Sequence, residues 1–148
     1  MTKKSSHFDA YGRASRGLDS YTEMSGRYAI QKNAERNIVP EIIQKLNLNS
    51  DDSLLEIGCG VGNLLVPLSF HVSSCTGIDH KNLTDKIDQR FKSENLLLIG
   101  EDFLKVEMDA LFDKILVYSV LLLMPDLTTL HKFVDKALSL LKPTGRML

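Results

Sequence analysis

Leu54-Leu55-Glu56-Ile57-Gly58-Cys59-Gly60-Val61-Gly62-Asn63 reads as a buried strand running directly into a glycine loop, with an acid two residues ahead of the first glycine. Leu54, Leu55 and Ile57 suit a strand of a parallel sheet, which is apolar on both faces. Glycines at alternate positions let the backbone turn tightly and approach a ligand where a Cβ would collide. A dinucleotide loop spaces its glycines GxGxxG, aiming backbone amides and a helix N-terminus at a pyrophosphate. Here the third glycine comes one residue early, and Asn63 stands where the last glycine of that pattern belongs.

Downstream, Val72 to Cys75 are apolar or small, and Thr76-Gly77-Ile78-Asp79 ends a second expected strand in an acid. Asp79 follows Gly58 by about 20 residues, the separation at which open α/β folds place a carboxylate for ribose hydroxyls. Leu96 to Ile99 reads as a third strand leading into Gly100-Glu101-Asp102-Phe103, and Phe112 to Leu121 contains a fourth. Taken singly, Glu56 is equally compatible with an edge-strand acid, Asp79 with a helix cap and Asp102 with a turn.

Taken together, these segments resemble, in order, the motifs of the class I S-adenosylmethionine (SAM) dependent methyltransferases. Their first motif, acid-x-GxGxG, is matched in full by Glu56 to Gly62, and Leu140 to Arg146 looks like the turn into the fifth strand. The resemblance covers residues 34 to 148. It implies a Rossmann-like, doubly wound α/β fold with a mainly parallel sheet and helices on both faces. It also implies SAM as cofactor, S-adenosylhomocysteine as product and no metal. The implied cofactor contacts are Glu56, Gly58, Cys59, Gly60, Gly62, Asp79, His80, Asp102, Phe103 and Ser119. Among them Asp79 is expected at the ribose, Asp102 and Phe103 at the adenine, and Ser119 facing the methyl group. The resemblance identifies no catalytic base.

The acceptor is read from a departure. Enzymes of this type that methylate an exocyclic adenine nitrogen or a side-chain amide carry Asn/Asp-Pro-Pro-aromatic after the fourth strand, where this chain has Tyr118-Ser119-Val120-Leu121. Many small-molecule methyltransferases carry a histidine slightly later, where Leu122 and Leu123 stand. A small-molecule acceptor is the leading expectation, with RNA or protein behind it. Two rival classes remain: an NAD-dependent oxidoreductase, which would share the loop and Asp79 but not the later motifs, and a non-catalytic SAM-binding or scaffold module.

With 43% hydrophobic residues, 25% charged residues and a net charge of −1, the composition is that of an ordinary globular protein and singles out no partner. The longest apolar run, Ile115 to Met124 broken by Ser119, falls short of the roughly 18 residues a membrane helix needs. Cys59 and Cys75 form no CxxC, and His7, His71, His80 and His131 show no ligand spacing, so neither a zinc site nor a disulfide framework is expected. Met1 to Gly12 lacks the apolar core of a signal peptide, and a cytoplasmic, reducing compartment is expected.

Residues 1–33 read as a cap segment and 34–148 as the cofactor-binding core. The first 36 residues hold Tyr11, Tyr21 and Tyr28 and seven Lys or Arg against four Asp or Glu, a modest excess that reads as a solvated face. Segments ahead of the glycine loop often fold over the cofactor in similar methyltransferases, which points to Arg27 and Tyr28 as site residues. Helices are expected over 34–48, 63–70 and 82–91. A last helix, capped by Asp126, carries the stripe Leu127, Leu130, Phe133, Val134, Ala137, Leu138 and Leu141 until Pro143 and Gly145 end it. The fifth strand is expected to begin only at Arg146, leaving a fold truncated before its C-terminal strands. The sequence is therefore expected to be a fragment, or to be covered by a partner or a second copy.

Overall fold

In the computed structural model, the described residues are 7–14, 21–24 and 29–148. Arg27 and Tyr28 lie outside them. Five strands, β1 (Ser53–Ile57), β2 (Ser74–Asp79), β3 (Leu96–Gly100), β4 (Phe112–Leu116) and β5 (Leu141–Met147), form one sheet in the order β3-β2-β1-β4-β5. Each neighbouring pair is parallel, with Leu55 beside Thr76 on one side and Ile115 on the other. This is the doubly wound arrangement expected from strands alternating with helices. The chain returns to β1 from the opposite side when it reaches β4, so the ends of β1 and β4 flank the crevice where such sheets take ligands. β1 is central, which removes the edge-strand reading of Glu56.

Strand alternation divides the core between two faces. Leu54, Cys75 and Leu116 pack under α3 (Glu35–Leu46), α4 (Leu65–Ser69) and α5 (Lys81–Arg90), through Ile42, Leu46, Leu65, Leu68 and Ile87. Leu55, Ile57, Ile78 and Ile115 point the other way, onto Phe133 and Ala137 of α6 (Leu127–Ser139). Asp126 caps α6 by accepting from Thr129 N at 2.7 Å. The stripe expected along α6 is narrower than the sequence pattern: Phe133 and Ala137 are buried, whereas Leu127 is 71% and Leu138 49% exposed.

α6 ends at Ser139, so Leu141 belongs to a strand and not to the helix, and the fifth strand expected only at Arg146 is already present. Pairing begins at Phe112 with Leu141 and resumes at Lys114 with Arg146, so two steps along β4 span five along β5. The bulge contains Pro143, which has no N–H for the ladder. At this end of the sheet Asp113 accepts from Ser53 N at 2.9 Å, Ser53 Oγ at 2.7 Å and Lys142 Nζ at 2.8 Å, tying β1, β4 and β5 together.

Ahead of the core come α1 (His7–Ala14), the four-residue α2 (Tyr21–Met24) and a 3₁₀ turn, Ala29–Gln31. Tyr11 and Met24 pack against Val61 and Leu83, and Tyr11 Oη donates to Met24 O at 3.2 Å. Asn82 Nδ2 donates to Gly12 O at 3.0 Å, fastening α1 to the start of α5.

Candidate functional site

The strand ends and the glycine loop enclose a cavity of about 510 Å³, a size that suits a small-molecule ligand. Gly58 and Cys59 stay attached to β2, both donating to Ile78 O at 2.8 and 3.2 Å. At Gly58 φ is +82°, and a Cβ there would meet Val120 Cγ2 at 2.2 Å, so glycine is demanded twice over. Gly60, with φ +56°, turns its amide onto Asp79 Oδ2 at 2.7 Å. Asp79 Oδ1 accepts from His80 N at 2.6 Å. Asp79 is thus fixed by two backbone donors while 7% exposed on the cavity floor.

Of the sequence-derived site residues, Glu56, Gly58, Cys59, Gly60, Asp79, Asp102, Phe103 and Ser119 border this cavity. Gly62 and His80 do not. Gly62 faces Ile87 and Val66, where a Cβ would lie 3.0 to 3.1 Å from their side chains, so it serves packing of the loop on α4 and α5. His80 caps α5, its Nδ1 accepting from Asn82 N at 3.2 Å, and its ring lies 5.1 Å from that of Phe8. The cap role considered for Asp79 therefore falls to its neighbour. Asp102 keeps both of its readings: it borders the cavity and closes a turn by accepting from Leu104 N at 3.0 Å. Ser119 has φ +60°, uncommon for a residue with a Cβ.

Sequence reasoning missed the roof and the mouth. Phe8, Tyr11, Gln31 and Ile38 close the cavity from the N-terminal side, and Leu122, Met124 and Phe133 line it beyond β4. The tyrosine-rich first segment was the available signal, although it pointed to Arg27 and Tyr28, outside the described residues. Leu122 is 76% exposed, giving the mouth an apolar lip.

Four carboxylates, Glu56, Asp79, Glu101 and Asp102, give the walls an acidic character. Burial raises the Asp79 pKa above 3.8, opposed by the hydrogen bonds from His80 and Gly60. The Tyr11 hydroxyl is pushed up to about 12 by burial and then by Asp79. Burial foremost, then Asp79 and Glu56, push the Cys59 thiol well up, so it stays protonated and acts as a small apolar residue. Among the described residues no cluster of three or more potential metal ligands occurs. No helix there is long and apolar enough to cross a membrane.

This fold and this loop are those of a class I SAM-dependent methyltransferase. The family model for ribosomal RNA adenine dimethylase matches residues 27–137, and the chain belongs to that family. A ribosomal RNA small subunit methyltransferase A from Mesomycoplasma hyopneumoniae (strain 232) is 37% identical over 79 residues, covering 51% of this chain and 29% of that protein. The protein of the same name from Mycoplasma mobile is 35% identical over 112 residues, covering 70% of this chain and 43% of its own length. The chain thus spans less than half of these curated relatives. The crystal structure of the N-methyltransferase NodS from Bradyrhizobium japonicum WM9 in complex with S-adenosylhomocysteine superposes with a TM-score of 0.79. Identity there is 23%, with 97% of this chain and 71% of NodS covered, a likeness of fold.

Proposed function

We propose that this chain binds SAM in the cavity over the glycine loop and transfers its methyl group to a base of RNA. The observation that carries the cofactor assignment is the Gly60–Asp79 bond. It presents a buried carboxylate beside a loop that admits close backbone approach, at the crevice between β1 and β4. The residues fit an adenosyl group: Asp79 borders the cavity with acceptor oxygens that could take ribose hydroxyls, and Phe103 and Leu104 offer an apolar wall for a flat ring. The acidic lining suits the amino group and sulfonium of the cofactor.

When bound, SAM supplies an electrophilic methyl group on a cationic sulfur. The protein's work is then orientation and exclusion of water. Gly58 and Gly60 set the floor, and Phe8 and Tyr11 screen the cavity from solvent. Ser119 and Val120, which line the cavity past β4, would form the side open to an acceptor nitrogen. RNA as acceptor is supported by the family, which redirects the small-molecule expectation.

A second reading has its own support. Tyr118-Ser119-Val120-Leu121 provides no side-chain amide, and Leu122 and Met124 make the mouth apolar, which suits a small, uncharged acceptor. Two measurements test these readings. Calorimetric titration with S-adenosylhomocysteine and, in parallel, NAD should give binding with the former alone; a folded chain that binds neither, or only NAD, would refute the cofactor assignment. Transfer of a radiolabelled methyl group should reach unmodified small-subunit ribosomal RNA. Labelling confined to small amines or alcohols would favour the second reading.

A further inference from the structure

The loop between β3 and β4 carries the wall of the cavity opposite Ser119, and its two kinds of backbone group are satisfied from different places. Its amides turn inward: Lys105 N and Val106 N donate to Asp102 O at 2.8 and 3.2 Å, and Asp102 N donates to Glu101 Oε1 at 2.8 Å. Its carbonyls turn toward α6, where Lys136 Nζ donates to Phe103 O at 2.6 Å and also to Val106 O. The same ammonium lies 5.0 Å from the centre of the Phe103 ring. Phe133, one helical turn earlier, meets that ring edge-on at 4.9 Å.

We propose that Lys136 is a positioning residue that holds the Asp102–Phe103 wall in its ligand-receiving shape before the cofactor arrives. The inference rests on the SAM reading of the cavity. Lys136 does not itself border the cavity, whereas Asp102 and Phe103 do. A cation donating to two carbonyls of one turn makes bonds stronger than neutral ones, and its attraction to the ring face fixes the side chain that would lie beside the adenine. A wall ordered in advance removes an ordering cost from binding. Apolar contact with Phe133 alone would leave the Phe103 and Val106 carbonyls to water.

Lys136→Met retains the aliphatic stem and removes the donor, and Lys136→Arg restores a cation with several donors. S-adenosylhomocysteine and adenosine should both bind Lys136→Met about tenfold more weakly than wild type, measured well below its melting temperature. Lys136→Arg should recover most of the loss. Equal affinities in wild type and a folded Lys136→Met would overturn the inference, as would a lowered melting temperature without any change in affinity. If wild type itself binds neither ligand, the SAM reading fails instead. Should Lys136→Met not fold, amide exchange in ligand-free wild type decides: the Lys105 and Val106 amides must already be protected, and rapid exchange at both would overturn the proposal.

Discussion

Gly60 N donates to Asp79 Oδ2 at 2.7 Å, joining the glycine loop after β1 to the carboxylate that ends β2 across 19 positions of sequence. The bond holds an acid whose pKa is raised by burial, and its protonation state therefore bears on binding. A folded-state pKa above 3.8 favours the neutral form. That contribution to stability is complete below the unfolded value and is lost as pH rises through the folded one. Once ionised, Asp79 opposes folding, and a ligand donating hydroxyls to it offsets the penalty. S-adenosylhomocysteine affinity should accordingly decline with acid at a pH above 3.8, and Asp79→Ala should weaken it about tenfold or more at pH 7. Titration across pH checks this; affinity that stays constant down to 3.8 would remove Asp79 from the binding site.

The two glycines before Val61 face different constraints. A Cβ at Gly58 meets Val120 Cγ2 at 2.2 Å and also a φ of +82°, whereas at Gly60 the φ is +56° and nothing lies within 4 Å. Gly58→Ala should destabilise by about 2–4 kcal/mol and Gly60→Ala by about 1 kcal/mol. Val120→Ala should relieve the steric part at Gly58 and leave the backbone strain, giving a coupling of about 1–2 kcal/mol in a double-mutant cycle. Denaturant unfolding of the three single variants and the pair tests the ordering. Equal losses at both glycines would show that the approach to Val120 is unimportant.

At the opposite end of the sheet the electrostatic sign reverses. Hydrogen bonds from Lys142 first, then from Ser53, hold the Asp113 carboxyl well below its ordinary 3.8. Its contribution is present above 3.8 and lost as pH falls toward the folded value. The side chain is 26% exposed, so solvent screening limits the effect. Asp113→Ala should reduce stability by about 1–2 kcal/mol at pH 7 and by less in strong acid. The gap between the melting temperatures of the two proteins should hold from pH 7 down to about 4 and narrow as pH falls below 3.8; a gap that stays constant in strong acid would assign the loss to packing.

What the sequence disclosed follows from how local the controlling physics is. β1, β2 and the Gly58–Gly62 loop were legible because apolar runs, glycines and a terminal acid are set by neighbouring residues. The two faces of the core were implicit in the alternation of Leu54 and Leu55. β5 was hidden because Pro143 and Gly145 ordinarily end structure, and only the pairing with Lys114 shows that the sheet absorbs them as a bulge. The cap made by His80 was hidden for a similar reason: adjacency to Asp79 says nothing about Asn82 N, which donates to its Nδ1, or about the Phe8 ring beside it. Tyr11 reaches the cavity through long-range packing against Val61 and Leu83, and Phe8 beside the His80 ring, which no local pattern records.

That packing sets two effects against each other at Gly12. In the interior of a helix, alanine is favoured over glycine by about 1 kcal/mol, so propensity alone makes Gly12→Ala stabilising. A Cβ there would come within 2.1 Å of His80 Cδ2, however, and His80 is held in place by its bond from Asn82 N. The clash should win. α1 must lift from α5, stretching the Asn82 bond to Gly12 O and withdrawing Phe8 and Tyr11 from the cavity roof. The core sheet should be little affected, because α1 contributes to none of its strands. The expected result is faster proteolytic cleavage within the first 24 residues, weaker S-adenosylhomocysteine binding and an almost unchanged melting temperature. Slower cleavage would mean that helix propensity outweighs the contact, and that α1 can shift without opening the roof.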